Sequence, residues 1–200
     1  MTDTDFQTFP SITRLSRDMV VTEKLDGCNA QLLITEGGEV RAGSRNRWLT
    51  VENDHYGFAA WAQEHRDALV QGLGPGRHYG EWWGHKIQHG YGLKERRFSL
   101  FNVLRWCGPG EDTTPLVASP NPLEPAKSRT PAPACCHVVP VLHVGPFDTA
   151  RVDVELEDLR LNGSRAAPGW TRPEGVVVCH VPSRTLFKKT LGNDGHKGAP

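Results

Sequence analysis

Glu23-Lys24-Leu25-Asp26-Gly27-Cys28-Asn29 is the stretch on which the reading of this chain turns. The apolar run Met19-Val20-Val21 precedes it and reads as a strand, and Gly27 permits the positive φ of a tight turn. Lys24 is therefore expected at a strand end, where a scaffold can hold its ammonium rigidly against a bound ligand. A lysine placed there becomes a covalent nucleophile once its pKa is lowered. Lys-x-Asp-Gly by itself is short and recurs by chance, and in isolation it reads as a surface hairpin with a solvated lysine. Its weight comes from the residues downstream of it.

Working outward, Ala30–Thr35 reads as a second strand, Glu36-Gly37-Gly38 as a hairpin turn and Glu39–Arg45 as the antiparallel return. On that reading Lys24 and Arg45 sit on neighbouring strands of one sheet. Residues 53–71 switch to helical spacing through Phe58, Trp61, Ala62, Leu69 and Leu73, with Asn53 or Asp54 as the cap and Gly72 and Gly74 as the stop. Trp61 belongs to the core of that helix. His78–Gly84 and Phe98–Leu104 read as strands. From Cys107 to Pro140 the recurring prolines exclude a central strand or a long helix, so an extended surface loop, mobile at its centre, is expected. Val138–Leu142 resumes strand character, with Pro140 marking an edge. Asp148 or Thr149 caps a helix over 150–162 that ends at Asn162-Gly163, and Glu174–Cys179 and Thr185–Lys189 complete the pattern as strands. Phe6, Phe9, Ile12 and Leu15 read as a short packed lead-in, and the tail 192–200 is expected to fray.

Composition narrows the function classes. The 200 residues are 38% apolar and 23% charged, enough for one medium domain with a real core. Lys plus Arg and Asp plus Glu both number 23, so a polyanion site has to be a local patch. No apolar run approaches the roughly 18 residues of a membrane-spanning helix. Met1-Thr2-Asp3-Thr4-Asp5 is acidic, unlike a secretory signal, and five irregularly placed cysteines fit reduced thiols in a cytoplasmic protein. Cys107, Cys135, Cys136 and His137 lack a Cys-x-x-Cys pair, which disfavours zinc.

The charged residues that flank glycines or strand ends are Lys24, Arg45, Glu81, Glu174 and Lys188-Lys189, with Phe101 among them. Nucleotide transfer needs these types. A lysine attacks the α-phosphorus of a nucleoside triphosphate, cations offset the charge that builds up, carboxylates hold a divalent metal and an aromatic face sandwiches the base.

Laid in order, Glu23-Lys24-Leu25-Asp26-Gly27-Cys28-Asn29, Ser44-Arg45, Tyr79-Gly80-Glu81-Trp82-Trp83-Gly84, Phe98-Ser99-Leu100-Phe101-Asn102-Val103, Glu174-Gly175-Val176-Val177-Val178 and Leu186-Phe187-Lys188 resemble the nucleotide-binding motifs of the covalent nucleotidyltransferases. Within these the chain is most similar to the ATP-dependent polynucleotide ligases, and to their RNA ligase branch. The resemblance runs from residue 23 to 188 and implies an α+β fold of two mainly antiparallel sheets with flanking helices and the nucleotide between them. It implies that Lys24 forms a lysyl–AMP phosphoramidate and that Glu23 lies beside the adenine. Asn29 and Arg45 would contact phosphate or ribose, and Glu81 the ribose hydroxyls or the metal. Phe101 would stack on adenine, Glu174 would bind the metal and Lys188 would meet the α-phosphate. Asp26 would be a local hydrogen-bonding residue. ATP with Mg²⁺ or Mn²⁺ would be used, and RNA ends, a 5′-phosphate and a 3′-hydroxyl, would be joined. The chain departs from the pattern in two places. Lys188 and Lys189 are adjacent where two lysines often flank one residue, and Asn102 stands where aspartate is common. Few residues come after Lys188, so a single nucleotidyltransferase domain over 1–200 without a separate C-terminal domain is expected. The basic stretch Lys86–Arg97 is a candidate contact to the RNA backbone. A DNA ligase, a GTP-dependent capping-type guanylyltransferase and a degenerate nucleotide- or RNA-binding module are the alternatives.

Overall fold

The computed structural model describes Phe9, residues 12–119 and residues 124–192. The element order is β1 (Asp18–Lys24), β2 (Cys28–Ile34), β3 (Val40–Ser44), α1 (Phe58–Glu64), α2 (Arg66–Leu73), β4 (Gly76–Gly84), β5 (Arg96–Leu100), β6 (Trp106–Cys107), β7 (Thr130–Pro131), β8 (His137–Val138), β9 (Val141–Pro146), α3 (Thr149–Asn162), β10 (Gly175–His180) and β11 (Thr185–Thr190). Two sheets carry the fold, in the order β11-β10-β1-β9 and β3-β2-β4-β5-β8, with β6 and β7 a small separate pair. All pairings in the first sheet are antiparallel, and in the second only β5–β8 is parallel. The expected α+β architecture of two mainly antiparallel sheets with flanking helices is what the chain adopts.

Side-chain parity assigns each sheet face to a different layer. Met19, Val21, Val176 and Val178 point to one side of the first sheet and pack on Val152 and Leu159 of α3. Ala30, Leu32, Ile34, Trp82, Phe98 and Leu100 of the second sheet pack under α1 and α2. There Phe58 meets Trp61, Trp82 and Phe98 with ring centroids 5.6, 5.3 and 5.2 Å apart. Such pairs contribute about 0.5–1.5 kcal/mol each beyond their buried area. The two remaining faces turn toward each other: Val20 of β1 and Trp83 of β4 share a cluster with Leu25, Tyr91 and Val103. Lys24 has the parity of Val20, and Glu81 that of Trp83.

Several elements differ from the sequence expectation. The helix over 53–71 is two helices that meet at His65, whose ψ of 14° leaves the helical range. Its start is delayed to Phe58 because Tyr56 and Gly57 turn with φ of 50° and 74°. Asp54 still serves as a cap, its carboxylate accepting from Ala59 N at 2.8 Å and Ala60 N at 3.0 Å. The strand expected over 98–104 ends at Leu100. Asn102 closes a turn, its side chain accepting from Arg105 N at 3.2 Å and its carbonyl from Trp106 N at 2.9 Å.

The 107–140 segment is less of a surface loop than its prolines imply, since Cys107, Ala132, Cys136 and Val139 are buried. Its end passes from one sheet to the other: Val139 N donates to Leu100 O, and Pro140 O accepts from Glu23 N. The strand read over 138–142 is therefore split, and its second part, β9, lies at a sheet edge. The expected packing of the lead-in is not found, because Phe9, Ile12 and Leu15 are exposed. Phe6 and residues 193–200 lie outside the described residues. Among the described residues, no helix is long and apolar enough to cross a membrane.

Gly80 packs so tightly that a Cβ there would sit 2.4 Å from Ser99 O and 2.6 Å from the Phe98 ring. Gly80→Ala is expected to lower stability by about 1–3 kcal/mol. The urea midpoint should fall with an unchanged slope; an unchanged midpoint would show that the β4–β5 contact yields freely.

Candidate nucleotide site

The Lys-x-Asp-Gly stretch joins the two sheets. Lys24 ends β1 opposite Gly175 of β10, and Cys28 opens β2 opposite Trp82 of β4. Gly27 is not in a positive-φ conformation, contrary to the sequence reading. It is required for close approach instead: a Cβ at Gly27 would lie 2.5 Å from Trp82 O and 2.7 Å from the Trp83 Cβ. Its backbone N–H donates to the Glu81 carboxylate. Lys24 and Arg45 are consequently not on neighbouring strands. Arg45 comes directly after β3 in the second sheet, and Lys24 ends β1 in the first.

Lys24 Nζ lies 2.5 Å from Glu174 Oε1, with both side chains about a quarter exposed. Glu174 Oε2 is buried and has no partner among the described residues. Glu81 faces this pair from the other sheet and is only 7% exposed. Burial pushes its carboxyl up to about 8, and Glu174 and Asp26 add to the rise, while the Lys24 charge and the Gly27 N–H oppose it. Asn29 is the cross-strand partner of Glu81 and donates to it at 3.5 Å. Phe101 leaves β5 beside β4, its N–H donating to Tyr79 O at 3.0 Å, and its ring is 39% exposed. The structure thus brings Lys24, Glu81, Glu174 and Asn29 together. Arg45 is exposed just beyond Ser44, the cross-strand partner of Ala30.

The adjacent lysines of β11 part company by parity. Lys188 is opposite Val177, itself opposite Thr22, so it shares the Lys24 face of the sheet. Lys189 points to the α3 side and pairs with Asp153. Glu23 also faces away from Lys24. It is 1% exposed and accepts from Ser164 Oγ at 2.5 Å, Arg165 N at 2.8 Å and Ala166 N at 2.9 Å. That carboxylate is bound up with the loop after α3, and the Glu23 N–H is taken by Pro140 O.

Two contacts around Asp26 escaped the sequence reading. His89 Nδ1 pairs with the Asp26 carboxylate, and Asp26 N donates to the Tyr91 hydroxyl at 2.8 Å. Tyr91 is buried against Trp83. Only the glycines at 84, 90 and 92 hinted at this loop, in which Lys86, Gln88 and Tyr91 all have positive φ. Of the basic stretch Lys86–Arg97, Arg96 is tied to the His85 and Tyr56 carbonyls and Arg97 to Glu95 and the Ala166 carbonyl. Those two cations hold the protein together rather than face a ligand.

The sequence model of the RNA ligase family matches residues 17–190. The chain belongs to the RNA ligase family. No curated protein matches this family member at a significant level. Its fold is similar to that of a Naegleria gruberi RNA ligase solved as a mutant with ATP and Mn: 18% identity, TM-score 0.54, covering 92% of this chain and 57% of that one. The same enzyme with PPi gives 19% identity and TM-score 0.52, covering 88% and 50%. A further mutant with AMP and Mn gives 17% identity and TM-score 0.52, again covering 88% and 50%. The chain spans about half the length of these structures.

Glu23 supplies a test of the site's buried frame. Burial outweighs its three hydrogen bonds and raises its pKa above the ordinary carboxylate value. A raised folded-state pKa means that stability is lost as pH climbs from the ordinary value through the raised one. Glu23→Gln removes that titration, so its unfolding free energy should fall less steeply across this window, by up to about 1.4 kcal/mol per pH unit. Urea unfolding at stepped pH reads the difference, and parallel curves for the two proteins would refute it.

Proposed function

We propose that this RNA ligase family member is an ATP-dependent RNA ligase that works through a lysyl–AMP at Lys24. The observation that carries the reading is the convergence of Lys24, Glu174 and Glu81 from two sheets on one point. The ammonium of Lys24 releases its proton into the hydrogen bond with Glu174. The freed lone pair attacks the α-phosphorus of ATP, an N–P bond forms, the bond to the β-phosphate oxygen breaks and pyrophosphate departs. A 5′-phosphate oxygen of the RNA then attacks the adenylate phosphorus, the N–P bond breaks and the lysine regains a proton. Finally a 3′-hydroxyl attacks the activated 5′-phosphate, loses its proton and expels AMP, sealing the strand.

The residues fit a divalent cation. Glu174 Oε2 is a buried acceptor with no partner among the described residues, and Glu81 is a buried carboxyl within Coulombic reach of it. Two carboxylates do not cage an ion alone, and among the described residues no cluster of three or more metal-ligating side chains occurs. That pattern suits Mg²⁺ or Mn²⁺, which take one or two carboxylates and complete their shell with phosphates and water. The cation would neutralise phosphate charge and stabilise the leaving group. Lys188 and Arg45 would add positive charge at the phosphates, Asn29 would contact phosphate or ribose, and Phe101 would stack on the adenine. Asp26, held by His89 and Tyr91, fixes the turn just after the nucleophile.

Incubation with α-labelled ATP and Mn²⁺ or Mg²⁺ should leave label on the denatured protein, and Lys24→Ala should abolish it. Glu174→Gln should slow labelling roughly 10–100-fold. Phe101→Ala should weaken ATP binding by about 1–3 kcal/mol with Lys24 still modified at saturating ATP. Labelled protein should then seal 5′-phosphate RNA to a 3′-hydroxyl end. Label from GTP alone would assign the capping reaction, sealing of DNA but not RNA would assign a DNA ligase, and no label after removal of pre-bound AMP would favour a binding module.

A further inference from the structure

The face of β2, β3 and β4 that carries Asn29 and Glu81 continues beyond them. Strand register orders it in rows. Asn29 is opposite Glu81; Gln31 is opposite Gly43 and Tyr79; Leu33 is opposite Arg41 and Arg77. Four residues of strand separate the first row from the last, about 13 Å. Arg41 and Arg77 therefore lie away from Lys24 and Glu174.

Trp48 lies over this face. A Cβ on Gly43 would come 3.1 Å from the Trp48 ring, so the bare glycine is what lets the indole settle there. The Arg41 guanidinium stands 4.6 Å from the Trp48 ring centroid and that of Arg77 5.4 Å from it. Arg77 is fixed further by its hydrogen bond to Gln31 Oε1 at 2.7 Å. Both arginines are exposed, and among the described residues no carboxylate pairs with either. Glu39 comes directly before β3 and Glu52 lines the same groove as Trp48, both open to solvent. Tyr79, between Arg77 and Glu81 on β4, is 54% exposed.

We propose that Arg41, Trp48, Arg77 and Tyr79 form a docking strip for a single strand of RNA. It extends the reading of the chain as an RNA ligase and rests on it. The two guanidiniums take backbone phosphates, for which their planar forks are suited. Trp48 holds them extended, so little side-chain freedom is lost on binding. Tyr79 offers a ring on which a base stacks, a contact indifferent to sequence. Arg45, exposed just beyond the end of β3, adds a positive charge at the Asn29 end of the face. A strand laid on this face runs from the arginine row toward the reacting phosphates at Lys24.

The test uses a 5′-phosphorylated, fluorescent single-stranded oligoribonucleotide and the whole chain. Fluorescence anisotropy across a salt series compares the parent with Arg41→Gln/Arg77→Gln and with Tyr79→Ala. Loss of two phosphate contacts should reduce the slope of log affinity against log salt by about 1.4. The Tyr79 variant should bind about tenfold more weakly with an unchanged slope. Labelling of Lys24 from ATP should persist in the double arginine variant, which also reports that it is folded. Unchanged affinity and slope in that variant, or failure of the parent to bind the oligoribonucleotide, would overturn the strip. So would loss of labelling together with binding in a variant whose circular dichroism matches the parent's, which would place the arginines in the nucleotide site. A parent that binds RNA with the expected slopes yet takes no label from ATP would keep the strip and remove the ligase reading.

Discussion

The structure depends on how closely the backbone at Gly27 approaches β4. With no side chain at this position, the chain leaving β1 runs against Trp82 and Trp83 and donates its N–H to Glu81. Any Cβ would push this turn off β4, at the point where the chain passes from the first sheet to the second. Lys24, three residues earlier, is held at the sheet junction by that approach. Glu81 is buried by the same contact, which is why its carboxyl keeps a proton to unusually high pH. One packing constraint therefore sets both the position of Lys24 and the electrostatics around it.

The site combines groups that repel one another. Glu81 and Glu174 flank one ammonium, and Asp26 and Glu174 both raise the Glu81 pKa. Folding alone does not favour this arrangement, since burying carboxylates together costs free energy unless a cation compensates. The strained loop beside it obeys the same logic. Lys86, Gln88 and Tyr91 adopt positive φ, and the buried Ile87 and Tyr91 anchor the segment while His89 and the Tyr91 hydroxyl grip Asp26. Backbone strain of this kind persists where surrounding packing over-determines it, typically next to functional groups.

Much of the fold was legible in the sequence because its signals are local. Short strand-like runs marked β1, β2, β10 and β11, and Asp148 marked the start of α3. The helix break at His65 and the end of β5 at Leu100 were not legible, since each depends on side chains that compete for backbone groups. The glycine at 27 was read for the wrong property, because close approach depends on a strand more than fifty residues away.

By itself the sequence determined which chemistry-bearing residues exist and in what order: Lys24, Arg45, Glu81, Phe101, Glu174 and Lys188, each beside a glycine or a strand. That information resides in composition and local spacing. Only the tertiary structure decided which of them meet. It set Lys24 and Arg45 on different sheets, turned Glu23 and Lys189 away from the Lys24 face and Lys188 toward it, and bound Asp26 to His89 and Tyr91. Which way a side chain faces is set by strand pairing and sheet packing, and a shift of one residue in register would reverse every such assignment.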